Sequence, residues 1–347
     1  MERAFWVRGP GEGEIREVTL PEPGDGEVLV RTLCSGISRG TETLVFRGGV
    51  PASQHTAMRA PFQEGEFPGP VQYGYLNVGV VEQGPPELKG RTVFCLYPHQ
   101  TAYVVPASAV TPVPDAVPPG RAILAGTVET AVNAVWDAAP HLGDRIAVVG
   151  AGMVGCSVAK LLTGFPATRV QLIDVDPERA KTAAALGVDF STPEDALGEC
   201  DLVVHASATE AGLARSLELL APVGEVIELS WYGDRRVSVP LGEHFHVRRL
   251  AIRSSQVGMV SPARRGRRDY GARLALALEI LADPAFDALV DGECRFDELP
   301  AVLTRSTANE LSARCLRVMY SRSTEDTPED TTSAERIGGL GVQHHRP

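Results

Sequence analysis

Three glycines, Gly150, Gly152 and Gly155, lie within the stretch RIAVVGAGMVGCSVAKLL that begins at Arg145. Their G-x-G-x-x-G spacing suits a dinucleotide phosphate. The first glycine permits a tight turn, the second lets a pyrophosphate approach the backbone, and the third lets a helix pack closely on its strand. The helix that begins here, with Met153 and Val154 in its first turn, aims free N–H groups and the positive end of its dipole at the phosphates. The next strand ends in Asp174, close to the expected separation of about 20 residues. A carboxylate there accepts from both ribose hydroxyls and repels a 2′-phosphate, so NAD is expected over NADP. Arg179, five positions on, softens that preference and leaves NADP open. Asp176 is better placed than Asp174 to cap the helix that starts at Pro177.

The elements around the turn are what such a site requires. The apolar run RIAVVG is a buried strand and MVGCSVAKLLTGF a helix. RVQLIDVD, DLVVHASA and EVIELSW are further strands, with helices PERAKTAAALG and EAGLARSLELLAPVG between them. Strand–helix alternation with short connections predicts a parallel sheet covered on both faces. Before the turn, GRAILAGTVETAVNAVWDAA reads as one helix. The N-terminal third is different: rich in Pro and Gly, with short strands such as GEVLVRTLCSGIS, YLNVGVVEQG, RTVFCLY and TAYVVPA, it predicts a barrel-like β domain. Residues 51–70 read as a loop forming a lid or pocket wall. A helix is expected from Ala263 to about Asp283, and ARCLRVMY is a closing strand. The polar segment 321–347 is expected to be a disordered tail.

Length and composition bound the function. With 347 residues, the chain suggests two domains. A net charge of −11 argues against a nucleic-acid or anionic-membrane surface. No stretch approaches the roughly 18–20 apolar residues of a membrane span, and the first residues show no secretory signal, so a cytoplasmic location is expected. The six cysteines are scattered without a CxxC pair, which fits free thiols better than a zinc ribbon or a disulfide framework.

The segments PEPGDGEVLVRTLCSGIS, GAGMVG, IDVDPERAKTAAALG and RRLAIRSSQVG, in this order, resemble the medium-chain dehydrogenase/reductase superfamily over residues 1–320. SGISRGTE together with YGYLNVG is most similar to the zinc-free branch that includes bacteriochlorophyllide hydroxyethyl dehydrogenases. The resemblance implies an α/β architecture. A GroES-like β-rich substrate domain (1–125) is completed by 259–320, and a Rossmann doubly wound domain (126–258) is inserted between them. Substrate and nicotinamide then meet in the cleft between the two domains. It also allows a homo-oligomer.

The resemblance further assigns candidate residues. Zinc-dependent relatives carry Cys at the position of Ser38, His-Glu at Tyr75-Leu76 and a third ligand near Ala125. A hydroxyl, a phenol and a methyl replace metal ligands poorly, so no catalytic zinc is expected, and VFCLYPHQTAYVV passes directly from one strand to the next without the four-cysteine lobe, so no structural zinc is expected either. Hydrogen-bond donors or a general acid/base must then manage the reacting oxygen. Tyr75, at the old metal position, and His99, on a strand of the pocket, are the candidates, each set against a packing role. Tyr97 lies nearby. Ser38, Arg39, Thr41 and Glu42 form the loop that faces the nicotinamide in relatives, with Arg39 toward the pyrophosphate and Glu42 orienting it. The alternative is a salt-bridged structural loop. The segment at Ser230 and Trp231 would meet the nicotinamide ribose through backbone groups, Trp231 and Tyr232 would wall the pocket or else pack between the domains, and Gln256 or its backbone would hold the carboxamide. Glu129 is read as a local pair more than as a cofactor contact, and His205 as packing near the adenosine. The basic run at 263–268 is a solvated face or a site for anionic substrate groups.

These readings converge on a zinc-independent, NAD(P)-dependent oxidoreductase that interconverts a secondary alcohol and a carbonyl on a small, possibly bulky substrate. Two alternatives stand beside it: an NADPH-dependent C=C reductase, and a non-catalytic NAD(P)-binding redox sensor.

Overall fold

The computed structural model describes residues 1–308, 310–311 and 313–320; the expected tail at 321–347 lies outside them. In chain order the N-terminal part forms β1 (Glu2–Gly9), β2 (Glu12–Val18), β3 (Glu27–Gly36), α1 (Arg39–Phe46), β4 (Glu64–Gly65), β5 (Val71–Gln72), β6 (Asn77–Gln83), β7 (Thr92–Cys95), β8 (Ala102–Pro106) and β9 (Val110–Pro112). Helices α2 (Pro119–Ala122) and α3 (Ala125–Ala138) lead to β10 (Arg145–Val149), α4 (Met153–Leu162), β11 (Arg169–Ile173), α5 (Ala180–Leu186), β12 (Asp189–Ser191), β13 (Cys200–His205), α6 (Glu210–Leu219), β14 (Leu220–Glu228) and β15 (Ala251–Ser254). The chain then adds α7 (Tyr270–Ile280), β16 (Val290–Arg295), α8 (Leu299–Thr307) and β17 (Cys315–Met319).

The inserted strands make a six-stranded sheet in the order β12-β11-β10-β13-β14-β15, parallel throughout. This is the doubly wound arrangement, whose crevice opens at the carboxyl ends of β10 and β13, where the strand order reverses. The strands are apolar runs because helices cover both faces: Ile146, Val148, Ala147 and Val149 of β10 are all buried. The β-rich part holds a seven-stranded sheet, β16-β17-β3-β6-β7-β9, with β8 also pairing β3, and a four-stranded sheet, β2-β1-β5-β4. The last strands thus return to the N-terminal sheet: β17 runs antiparallel to β3. Helix α7 instead packs on α3 through a core that includes Leu274, Ala277 and Val128.

Three elements differ from the sequence reading. The single helix through 120–139 is two, α2 and α3, separated by Ile123 and Leu124. Helix α6 stops at Leu219, because Leu220 is already extended and opens β14. The helix expected from Ala263 begins only at Tyr270, where Asp269 caps it by accepting from Ala272 N–H at 2.7 Å. Arg264, Arg265, Arg267 and Arg268 lie before it in exposed turns. Within a helix they would stack like charges three and four residues apart.

All six cysteines are buried and free. Burial pushes the thiols of Cys34 and Cys294 up to about 11 and those of Cys95 and Cys156 up to about 12. A thiol raised on folding contributes stability that is complete below its unfolded value of about 8.5 and is lost as pH rises through the folded value. Two outcomes are expected: negligible reaction with a thiol-specific disulfide reagent at pH 8 until denaturant is added, and a melting temperature that falls between about pH 9 and 12. Rapid native-state labelling of more than one thiol would contradict this burial.

Candidate active site

The glycine turn lies between β10 and α4. Gly150 has φ +108°, and a Cβ there would lie 2.7 Å from Ser207 N. A Cβ on Gly155 would come within 1.9 Å of the Gly150 carbonyl oxygen, so the helix could not seat against the turn. A Cβ on Gly152 would meet nothing within 4 Å, which leaves that face of the turn open. No side chain caps α4, so the amides of its first turn, from Met153 and Val154, remain available to an anion.

Asp174 braces this turn. One carboxylate oxygen accepts from Ala151 N–H at 2.7 Å and the other from Asp176 N–H at 2.9 Å. Asp176 in turn accepts from Glu178 N–H at 3.0 Å, in the capping position the sequence favoured. Arg179 pairs with Asp176 at 3.2 Å. Arg39, at the start of α1, is lowered first by burial and then by the nearby Arg179 guanidinium, with Asp291 opposing. Two cations from different parts of the chain therefore share the region beside the turn. These residues fit a dinucleotide: an open glycine face, free helix amides, a carboxylate at the strand end and adjacent positive charge.

A second polar cluster forms where α1 meets β3 and the segments before β6 and β8. Tyr75 donates from its phenol to Ser38 Oγ at 2.7 Å. Ser38 N–H donates to Glu42 Oε1 at 2.8 Å, fixing the first turn of α1. Glu42 Oε2 lies 2.8 Å from His99 Nε2, and His99 Nδ1 lies 2.7 Å from Ser35 Oγ. Glu42 and His99 are wholly enclosed, whereas Ser38 and Tyr75 are half-buried and form the outer edge of the cluster. Burial pushes the Tyr75 phenol up to about 12, although hydrogen bonds with Ser38 and Thr41 partly offset it. Gly74 permits this packing: at φ +138° it presents no Cβ to His99, whose ring would otherwise lie 3.0 Å away.

The other named residues are placed as follows. Ser230 N–H donates to Glu228 Oε1 at 2.7 Å, and its hydroxyl accepts from Ala208 N–H at 3.1 Å. Trp231 Nε1–H donates to Gln54 Oε1 at 2.8 Å, tying the segment after β14 to the 51–70 loop of the β-rich part. Tyr232 donates to Glu228 Oε2, and His205 lies buried between Glu228 and Ser207 at 2.7 Å from each. Burial works against a charged Glu228, but His205 and Ser230 outweigh it and hold the carboxyl below its usual range. The Gln256 carbonyl lies 3.5 Å from Asn133 Nδ2. Glu129 pairs with the buried Arg273 at 3.0 Å. Tyr97 stacks on Tyr103 with centroids 3.8 Å apart.

The positions that the resemblance matches to zinc ligands hold a different donor set. Ser38 and Tyr75 bond to each other. Leu76 and Ala125 are fully buried in the apolar core. The nearest carboxylate, Glu42, is committed to Ser38 N–H and His99. Among the described residues no three His, Cys, Asp or Glu side chains are grouped so that they could hold a metal ion. Two hydroxyls and a paired carboxylate do not fit zinc, which takes thiolate, imidazole and free carboxylate.

Sequence reasoning missed Ser35, Tyr320, Gln54 and Arg273. Each meets its partner across a long separation in the chain, so no local spacing marks it. The one usable signal was His99 itself, since a buried histidine needs partners for both ring nitrogens.

No protein-family profile matches the chain. It is 25% identical over 270 residues to L-threonine 3-dehydrogenase of Pyrococcus horikoshii, covering 64% of this chain and 74% of that protein. Other curated relatives are named zinc-type alcohol dehydrogenase-like proteins. Among solved structures, 2R,3R-butanediol dehydrogenase of Bacillus subtilis superposes with a TM-score of 0.73 at 17% identity, covering 92% of this chain and 99% of that one. An alcohol dehydrogenase (rspB) of Escherichia coli in complex with NADH gives 0.71 at 17% identity, with the same coverage. The chain thus has the Rossmann-plus-GroES-like fold and is similar, by sequence and by structure, to the alcohol dehydrogenase-like enzymes of the medium-chain dehydrogenase/reductase superfamily.

Proposed function

We propose that the protein is an NAD(P)-dependent oxidoreductase that interconverts a secondary alcohol and a carbonyl without catalytic zinc, with NAD favoured over NADP. The observation that carries this reading is the Tyr75–Ser38 hydrogen bond at the half-buried edge of the Glu42–His99 pair. Zinc would act as a Lewis acid on the reacting oxygen. Here an oriented pair of hydroxyls stands where relatives carry metal ligands.

The glycine turn, the first amides of α4 and Asp174 would hold the dinucleotide, whose nicotinamide supplies or accepts the hydride when bound. This chain's own residues handle the oxygen. Tyr75 donates to Ser38 Oγ, so the Ser38 hydroxyl keeps its own hydrogen to donate outward. A phenol held at about 12 stays protonated near neutrality, so it keeps donating to Ser38 while the Ser38 hydroxyl serves an oxygen that gains charge as a carbonyl is reduced. Glu42 orients the donor pair through Ser38 N–H. Asp174, with its carboxylate at the end of β11, supports the preference for NAD, and Arg179 beside it moderates that preference.

The test is absorbance at 340 nm with NADH or NADPH and a panel of ketones and secondary alcohols, on protein whose metal content has been measured. Expected are turnover with substoichiometric zinc and no loss of activity after chelation. One tightly held zinc per chain whose removal abolishes turnover would overturn the zinc-free mechanism. Cofactor binding without turnover on any substrate would favour the redox-sensor alternative.

A further inference from the structure

Ser35 stands near the end of β3, its side chain wholly buried. The antiparallel register of β17 against β3 pairs Val318 with Ser35 and Met319 with Cys34. The chain therefore emerges from β17 with Tyr320 beside the His99 cluster. The Tyr320 phenol lies 2.8 Å from Ser35 Oγ, and its ring stacks on Phe296 with centroids 4.9 Å apart. From the C-terminal strand to α1, the row reads Tyr320 OH, Ser35 Oγ, the His99 ring from Nδ1 to Nε2, and Glu42 Oε2, with its three hydrogen bonds at 2.7–2.8 Å.

The hydrogens along this row run in one direction. A carboxylate accepts only, so the imidazole nitrogen facing Glu42 must carry a hydrogen. A phenol raised by burial keeps its proton and donates it to Ser35 Oγ. Ser35, having accepted, gives its own hydrogen to His99 Nδ1. Nδ1 is then bare and Nε2 protonated. The opposite direction would leave a bare Nε2 against a carboxylate oxygen at 2.8 Å, two acceptors in contact. A doubly protonated ring would have Ser35 Oγ accepting from both neighbours and leave the Ser35 hydrogen without an acceptor in the row.

We infer that Tyr320 and Ser35 are positioning residues that hold the His99 ring by its bare Nδ1 while Nε2–H faces Glu42, and through it hold Glu42 where it orients Ser38. The C-terminal strand thereby becomes part of the reaction centre through Ser35 and His99. The consequence for turnover rests on the proposed alcohol–carbonyl reading; the tautomer does not.

The experiment is long-range 1H–15N correlation of histidine side chains in the full chain, without substrate, at pH 7.5. The His99 resonances are identified by their loss in His99→Gln. Expected in the parent protein is a single set with protonated Nε2 and bare Nδ1. Tyr320→Phe keeps the stacked ring and removes only the donor. Its loss frees the Ser35 hydroxyl to turn from Nδ1, so it should move the Nδ1 resonance toward that of an unbonded imidazole nitrogen, as should Ser35→Ala, while Ser35→Thr, which retains a hydroxyl, should leave it in place. In turnover, Tyr320→Phe should lower kcat about tenfold with KM nearly unchanged. A protonated Nδ1 in the parent, or an unchanged spectrum in Tyr320→Phe, would overturn the inference. Absence of turnover in every variant, with the expected spectra, would instead count against the catalytic reading alone.

Discussion

Tyr75→Phe is expected to lower kcat by about 100-fold, the low end of the cost of losing an oxyanion donor, because the phenol orients the Ser38 hydroxyl that would donate to the developing charge. Phenylalanine retains the ring that packs at right angles against Tyr73, so the fold and cofactor affinity should change little. What disappears is the hydrogen given to Ser38 Oγ and, with it, the polarisation of the hydroxyl that faces outward. Ser38→Ala should cost a similar factor. The double variant should fall well short of the product of the two, because both side chains act on one oxygen as a unit. The measurement is steady-state kinetics in the carbonyl-reduction direction, with NADH affinity read separately by fluorescence titration. A Tyr75→Phe enzyme within threefold of the parent in kcat would remove the phenol from the reaction.

Arg273→Met is expected to cost about 3–5 kcal/mol of stability, because it leaves a buried carboxylate without its counter-charge. Arg273 is 1% exposed. It donates to Glu129 at 3.0 Å, to Asn133 Oδ1 at 2.6 Å and to the Val257 carbonyl at 2.6 Å. It thereby fastens α7 to α3 and pins the 256–258 segment. Burial raises the Glu129 carboxyl even with Arg273 beside it. Without the guanidinium it rises further, and the sign of the pH effect follows. A carboxyl raised on folding costs nothing below its unfolded value of about 4.3 and progressively more as pH climbs toward the folded value. The loss should therefore be smaller at pH 5 than at pH 8, as read by urea unfolding at both values. Adding Glu129→Gln should recover part of the loss at pH 8. Equal destabilisation at the two pH values would show that the ion pair is not the cause.

The three arginines that matter most illustrate how differently the chain discloses its parts. Arg179 was legible because it follows a strand that ends in an acidic residue at a fixed distance from the glycine turn. Arg39 was legible only through resemblance. Arg273 was not legible, since nothing in YGARLALALEI marks a residue that will pair with Glu129 144 positions earlier. The basic run before it, conspicuous in sequence, forms exposed turns.

The sequence by itself determined the parallel sheet, the glycine turn and the β-rich first third. Those features are periodic or local: apolar strand runs, glycines at fixed spacing and turn residues between short strands act within a few residues of one another. Only the tertiary structure decided that Tyr75 and Ser38 bond to each other and that both nitrogens of His99 are engaged. It likewise decided that Trp231 reaches Gln54 across the two parts, and that the last described residue, Tyr320, closes the row behind Glu42. The physical reason is strand register. A shift of one residue between β17 and β3 would turn every side chain to the opposite face, and that register is set by packing over the whole sheet, which local spacing does not encode.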